Sequence, residues 1–188
     1  MNLTAFFVAH GPFEEAKASD IVREFTYTAY KKGDLIIGGG QGLDKLYYVE
    51  SGLVRFYYEK DGKEITQDFF AEKKFFLPLE NLFLNDSFPY SVEVLEPSVI
   101  ASIPMQVMQG WIDREQNLQR LNTFLLSSEI KKLRNRLYSI QFQSAQERYA
   151  LFLQHYPTII LRAPLGQIAS YLGITQSTLS VIRAELGR

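Results

Sequence analysis

The sequence predicts an α+β fold with an N-terminal antiparallel β-roll or jelly-roll barrel, a long connecting helix and a C-terminal helix-turn-helix domain without a full wing. Three observations support this. Short strand-like runs separated by glycine and acidic turns fill residues 35–103, helical periodicity begins after Pro104, and Gly173 divides the last two dozen residues into two short helices. The expected units are a barrel at 1–115, a connecting helix at 116–142 and a helix-turn-helix domain at 143–188.

The roll is predicted from runs rich in β-branched, aromatic and leucine residues, with no helices between them. Asp61-Gly62 is a strong hairpin signal because both central residues must tolerate positive φ. Ser51-Gly52 makes another corner, and residues 75–89 are expected to contain one helical turn. The spacing of apolar residues predicts that the segment 13–30 begins with a short helix. The predicted strands are 35–37, 46–50, 53–59, 64–70, 90–95 and 99–103.

The segment 117–140 is predicted to form a helix about 35 Å long, at about 1.5 Å per residue. Its apolar stripe needs a partner, which is either the barrel alone or the same helix of a second subunit. The second subunit would bury more of the stripe, so a homodimer is favoured. A further helix is predicted at 146–156. The stripe residues proposed for the dimer helix are Leu118, Leu121, Leu125 and Leu133.

The C-terminal segment predicts a helix-turn-helix because Pro164 suits a helix start, Gly173 a corner and Thr175 an N-cap. The outer face of the second helix is small and polar, so it fits the major groove of DNA. There Gln pairs with adenine, Ser with several bases and Val with a thymine methyl, while Arg side chains hold phosphates. The candidate DNA-binding residues are Thr175, Gln176, Ser177, Thr178, Ser180, Val181, Arg183 and Arg188.

Charge is distributed unevenly along the 188 residues, although the net charge is only −1. Residues 128–188 hold eight Lys or Arg against three acids, a local charge of +5, and the remainder carries −6. A polyanion would therefore be drawn to the C-terminal third. The chain has no cysteine, which excludes disulfides, thiolate metal sites and cysteine-held iron–sulfur clusters. Without a run long enough to span a bilayer, the expected location is cytoplasmic, with no membrane partner.

Two stretches resemble the Crp/Fnr family of bacterial transcription regulators: 47–55 (YYVESGLVR), similar to the family's barrel signature, and 167–175 (QIASYLGIT), followed by 179–183 (LSVIR). The resemblance implies a cyclic nucleotide-binding-like barrel that senses a small effector. Effector binding would shift the dimer helices and so the spacing of the two recognition helices. The implied partners are double-stranded DNA, a second copy of the chain and RNA polymerase.

Departures from the family pattern argue against a cyclic nucleotide. In cyclic-nucleotide-binding members this region carries a Gly-Glu pair and an Arg that pairs with the phosphate, whereas residues 76–92 contain neither Gly nor Arg. A buried phosphate would be poorly compensated there. Glu80 is the counterpart of the family glutamate. The effector is therefore unidentified, and the candidate pocket residues are Phe76, Glu80, Phe83, Phe88, Tyr90 and Ser91.

The recognition helix also departs from the family. At the positions where family members usually carry the base-contacting residues Arg, Glu and Arg, this chain has Gln176, Ser177 and Val181. The preferred operator sequence should therefore differ from the family's usual one. The sequence ends two residues past Leu186, before the β-hairpin wing that often follows, so DNA binding is expected to be weaker or more dependent on a cofactor.

An enzyme is not expected, because His10 and His155 lie far apart and no metal-ligand cluster is apparent. The alternative function is a ligand-binding or protein-interaction barrel whose helix-turn-helix does not bind DNA specifically. The salt dependence of DNA binding distinguishes the two functions.

Overall fold

A computed structural model describes residues 2–38, 42–84, 86 and 90–186, with only the backbone of Leu186. No helix in these ranges has the length and apolar character that crossing a bilayer requires. The helices are α1 (Leu3–His10), α2 (Glu15–Arg23), α3 (Leu79–Leu84), α4 (Met105–Arg114), α5 (Gln116–Phe142), α6 (Ala145–His155), α7 (Ile159–Arg162), α8 (Leu165–Leu172) and α9 (Gln176–Leu186).

The strands form two antiparallel sheets in the orders β1-β8-β3-β6 and β2-β7-β4-β5. This confirms the β-roll, and all six predicted strands are present. Strands β1 and β6 were not predicted. The bounds are β1 (Thr26–Tyr30), β2 (Leu35–Ile37), β3 (Lys45–Ser51), β4 (Val54–Lys60), β5 (Lys63–Phe70), β6 (Phe75–Phe76), β7 (Ser91–Val94) and β8 (Ser98–Pro104).

Aromatic rings fill the interior of the roll. Tyr47 and Phe76, paired across β3 and β6, stack with ring centroids 4.9 Å apart. Phe56 lies 4.7 Å from Phe70 and 5.4 Å from Phe76 between ring centroids. All four side chains are buried, so they hold the two sheets together and occupy space that a ligand would otherwise use.

Helices α1 and α2 pack against α4 and the first turns of α5 in a second core. Leu3 and Phe7 are buried there, in the same cluster as Leu118 and Leu121. The apolar run at the N-terminus is therefore a helix that covers one side of the roll, which the sequence analysis did not predict.

Helix α8 lies along β5, which is the edge strand of its sheet. The Ser170 hydroxyl accepts a hydrogen bond from the Thr66 N–H at 2.9 Å. The register between β4 and β5 shifts at Gln67, whose carbonyl accepts from the Arg136 guanidinium. Both contacts satisfy backbone groups that the neighbouring strand leaves unpaired.

Candidate nucleic-acid interface

The helix-turn-helix has the predicted local geometry. Gly173 ends α8 in the left-handed region, with φ of 69°. The Thr178 N–H donates to Thr175 Oγ1 at 3.1 Å, which makes Thr175 the N-cap of α9. The two helices share a core of side chains that are at most 4% exposed: Ile168, Ala169, Leu172, Leu179 and Ile182.

The outer face of α9 is turned to solvent and is not covered by the roll. Val181, the candidate thymine contact, is 58% exposed. Arg183 is exposed, with no ion-pair partner among the described residues. Arg188 lies outside the described residues. The candidate readers that the structure brings together on this exposed surface are Thr175, Gln176, Ser177, Thr178, Ser180, Val181 and Arg183.

Hydrogen bonds fix the positions of several side chains on the outer face of α9. The Thr175 hydroxyl lies 2.8 Å from Ser177 Oγ, and Ser180 Oγ donates to the Gln176 carbonyl at 3.0 Å. Gln146 Nε2 donates to Glu185 Oε2 at 2.8 Å, which holds this acid against α6. The hydroxyls of Ser177 and Ser180 thus lie on a fixed helical frame on which they can meet base edges or phosphates.

An arginine clamp joins α7 to the roll. The Arg162 guanidinium contacts Glu72 at 2.8 Å and Glu96 at 2.6 Å, while Glu72 also accepts from the Gly52 N–H at 3.0 Å. Burial alone would raise the pKa of the Glu72 carboxyl, but the hydrogen bonds from Arg162 and the backbone outweigh it and lower this pKa below its usual value. The clamp therefore stays ionised at neutral pH.

A second ionic group lies beneath α8. Arg55, only 1% exposed, contacts Glu64 at 2.7 Å and Glu93 at 2.8 Å. Gln167 Nε2 on α8 donates to Glu93 Oε1 at 3.1 Å. The charge of Arg55 is thus compensated within the chain, and the network fixes α8 on the sheet.

Sequence reasoning missed the clamp and this buried network. Arg55 stands out as the only charged residue between 51 and 58, among apolar and aromatic neighbours in the first half of β4, which is a detectable signal of a buried ion pair. Arg162 and Glu72 lie 90 positions apart, so local periodicity carries no trace of their contact.

The exposed stripe of α5 differs from the predicted one. Leu118 and Leu121 are 3% and 4% exposed in the core of their own chain, and Leu125 packs against the same cluster, so these three do not face a partner. Leu133 is 50% exposed. It belongs to a stripe at spacings of four and three residues, typical of a helix pair, formed by Leu126, Ile130, Leu133, Leu137 and Ile140.

The candidate effector-pocket residues are divided between the interior and the surface. Phe76 is buried in the roll, whereas Phe83 on α3 is 55% exposed. Tyr90 and Glu80 are half-buried, and burial followed by the Glu80 charge raises the pKa of the Tyr90 hydroxyl. Ser91, the first residue of β7, is half-buried, and Phe88 lies outside the described residues.

Comparison with known proteins agrees with this architecture. A family profile described as "Cyclic nucleotide-binding domain" matches residues 27–115. The fumarate and nitrate reduction regulatory protein of Vibrio cholerae is 26% identical over 163 residues, which cover 80% of this chain and 64% of that protein. The anaerobic regulatory protein of Pasteurella multocida is 24% identical, over 83% of this chain and 61% of that protein. The chain thus spans less than two thirds of the length of these relatives.

Solved structures show the same fold. A CooA variant from Carboxydothermus hydrogenoformans has a TM-score of 0.73 at 20% identity, covering 100% of this chain and 84% of that one. A transcriptional regulator of the Crp/Fnr family from Eubacterium rectale has a TM-score of 0.72 at 20% identity, covering 95% and 85%.

The reported relatives are named as regulators, in agreement with the expectation that the chain is not an enzyme. The motifs at 47–55 and 167–175 lie in the roll and the helix-turn-helix, where the resemblance placed them. Residues 27–115 thus match the cyclic nucleotide-binding domain family, and the two motifs and the shared fold make the chain similar to the Crp/Fnr regulators.

Proposed function

We propose that the protein is a DNA-binding transcription regulator that acts as a homodimer and reads DNA with α9. The observation that carries the proposal is the exposed outer face of α9, whose polar and small side chains stand on a rigid helix-turn-helix. Gln176 offers the amide that pairs with an adenine edge, and Val181 offers methyl groups to thymine. Arg183, without an acid partner among the described residues, is available to a phosphate.

The dimer is supported by the exposed stripe of α5. Ile130 is 59% exposed and Leu137 is 57% exposed, which is unfavourable for apolar side chains in water. A second α5 would bury both. Two copies then present two α9 helices to half-sites one helical turn apart, about 34 Å, in a pseudopalindromic operator.

Selection of bound sites from random DNA tests this function, followed by fluorescence anisotropy on the selected site between 50 and about 200 mM salt. We expect an inverted repeat and an affinity that falls steeply with salt, since each phosphate contact releases counterions. No enrichment of any sequence, together with weak and salt-insensitive DNA binding, would favour the alternative, a protein-interaction or ligand-binding role for the roll.

Arg183→Gln is expected to weaken binding to every DNA sequence by roughly tenfold and to reduce the salt slope by about 2 per dimer, because each subunit loses one phosphate contact. Fluorescence anisotropy on the selected site and on mixed genomic DNA measures both quantities. Arg120→Gln is the matched control, since Arg120 is also exposed but lies on α5. If the two variants bind alike, Arg183 does not contact phosphate.

For the effector, we propose a small molecule other than a cyclic nucleotide. Residues 76–92 supply no arginine for a buried phosphate, and Arg55 of the neighbouring strand already contacts two carboxylates. The rings of Tyr47, Phe56, Phe70 and Phe76 also occupy the interior of the roll.

Cyclic AMP at micromolar concentration is accordingly expected to leave the melting temperature of the protein unchanged. A ligand that binds the folded state at 100 times its dissociation constant would stabilise it by about 2.7 kcal/mol, which is easily detected by differential scanning fluorimetry. Isothermal titration calorimetry of the same sample serves as the second readout. A clear rise in melting temperature, with saturable heat, would show that the roll does accept the nucleotide.

A further inference from the structure

A cavity of about 420 Å³ lies at the elbow between the roll, the second half of α5 and the helix-turn-helix. The segment 69–74 forms one wall, residues 128–140 of α5 form the second, and α6 with the end of α8 forms the third. This volume falls in the range of small-molecule sites, which run from about 300 to 1,000 Å³. The cavity is separate from both the roll interior and the outer face of α9.

Among the charged side chains at the cavity, cations outnumber acids. Within the described residues the lysines and arginines here are Lys74, Lys131, Lys132, Arg136 and Arg148, beside the imidazole of His155, whereas the nearby acids are Glu129 and Asp68.

Both acids are already engaged by one cation. Lys132 Nζ lies 2.7 Å from Asp68 and 2.6 Å from Glu129. Burial by itself would lower the pKa of the Lys132 ammonium, but the two carboxylates raise it, so this cation remains charged and paired. The five lysines and arginines exceed the two acids by three charges, so the cavity keeps a net positive charge.

Two of these remaining cations donate hydrogen bonds only to carbonyl oxygens among the described residues. Arg136 donates to the carbonyls of Gln67 and Tyr171, and Arg148 donates to those of Leu172 and Gln143. These hydrogen bonds position the guanidinium groups but do not neutralise them. Lys74 and Lys131 are exposed at the rim and make no ion pair among the described residues. The cavity therefore presents uncompensated positive charge, which favours an anion.

Aromatic rings form the floor. Phe152 lies 5.1 Å from Tyr156 and 5.5 Å from Tyr171 between ring centroids. The Arg136 guanidinium stands 4.3 Å above the Tyr171 ring. Burial raises the pKa of both tyrosine hydroxyls, so they remain neutral. A flat ring is the shape that such a floor accommodates.

A second α5 in the proposed dimer does not fill this cavity. At 100° per residue, Lys132, Asn135 and Ser139 face the opposite side of the helix from Ile130, Leu133 and Leu137. Ile140, the last residue of the exposed stripe, also lines the cavity. The elbow thus remains accessible when two chains pair through α5.

We propose that the elbow cavity binds a small aromatic dianion: a flat ring that carries a doubly charged acid group, either a phosphate monoester or a pair of carboxylates. The ring packs on the aromatic floor and the acid groups meet Lys74, Lys131 and the two arginines. Cyclic AMP fits this description poorly, because its diester carries a single charge. The ligand touches all three walls at once and is therefore placed to hold the helix-turn-helix against the roll.

Isothermal titration calorimetry of the full chain, without DNA, tests the proposal with four probes: phenyl phosphate, phthalate, benzoate and inorganic phosphate. We expect phenyl phosphate or phthalate to bind with a dissociation constant on the order of 1 mM, and benzoate and inorganic phosphate at least tenfold more weakly, since one lacks the second charge and the other the ring. Tighter binding of phenyl phosphate would identify the acid group as a phosphate monoester, and tighter binding of phthalate would identify it as a pair of carboxylates.

Two double variants locate the site. Lys74→Gln with Lys131→Gln removes two rim charges that make no ion pair in the chain, and should weaken the preferred probe by about tenfold or more. Lys73→Gln with Arg134→Gln removes the same charge from exposed neighbours that do not line the cavity, and should change binding by less than about twofold.

The proposal is overturned if no probe binds below about 10 mM, if inorganic phosphate binds as tightly as phenyl phosphate, or if both double variants weaken binding equally. None of these readouts depends on DNA binding, so failure of the elbow site and failure of the regulator function are distinguishable.

Discussion

Replacing Leu133 and Leu137 of α5 by glutamate should convert the proposed homodimer into monomers of 21.6 kDa. The two leucines are 50% and 57% exposed in the single chain and lie in the middle of the exposed stripe, so a partner helix would bury both. Losing that burial in both subunits costs roughly 4 kcal/mol, about a thousandfold in the dimer dissociation constant, and the four carboxylates repel one another in addition. Sedimentation equilibrium measures the change directly.

Phe124→Glu is the matched control for this experiment. Phe124 is also exposed, at 60%, and lies on the same helix, but at 100° per residue it faces away from Leu133. It should leave the dimer intact. If Phe124→Glu yields monomers and the leucine variant does not, the dimer face lies on the other side of α5.

Gly52→Ala should destabilise the protein by about 3 kcal/mol or more. Gly52 has φ of +102°, outside the region that a side chain tolerates, and a Cβ there would lie 2.8 Å from the Cα of Ser98 and still closer to the Ser98 side chain. Backbone strain and overpacking each cost about 1–3 kcal/mol. A shift of the backbone at position 52 would also move the Gly52 N–H, which donates a hydrogen bond to Glu72, and would so disturb the Arg162 clamp. Urea unfolding monitored by circular dichroism gives the change in free energy.

Gly62→Ala separates the cost of backbone strain from the cost of overpacking against Ser98. Gly62 also has a positive φ, +71°, but nothing lies within 4 Å of the added Cβ. It should lose only about 1–2 kcal/mol, the cost of a left-handed residue with a side chain. Equal losses in the two variants would mean that Ser98 moves aside freely and that the close approach at Gly52 has no energetic weight.

Local chemistry explains what the sequence predicted correctly. Both residues of the Asp61-Gly62 turn have positive φ, as the hairpin requires, and Gly173 and Thr175 cap their helices as expected. Each of these features depends on neighbours within four positions. The same holds for α5, whose helical periodicity extends over many turns.

Features set by distant contacts were not predictable in this way. Strand β1 was not predicted, because only a short helix was expected at the start of residues 13–30 and the rest of that range was left unassigned. The exposed TYTAY segment becomes a strand by pairing with β8, which lies far away in the sequence. Leu118 and Leu133 repeat with the same period along α5. The helical period alone does not show that α1 and α2 bury Leu118 and leave Leu133 exposed, because the burial depends on how the N-terminal helices fold.

The position of α8 along β5 bears on how the roll avoids aggregation. A bare edge strand is a template for β-pairing with another molecule, and here Ser170 and Arg136 already satisfy the groups at Thr66 and Gln67. A chain truncated before α6 would keep Arg136 but lose Ser170 and the rest of α8, which would expose the Thr66 part of this edge and should favour intermolecular strand addition. The C-terminal helices thus cover an edge of the roll that would otherwise be open to a strand of another molecule.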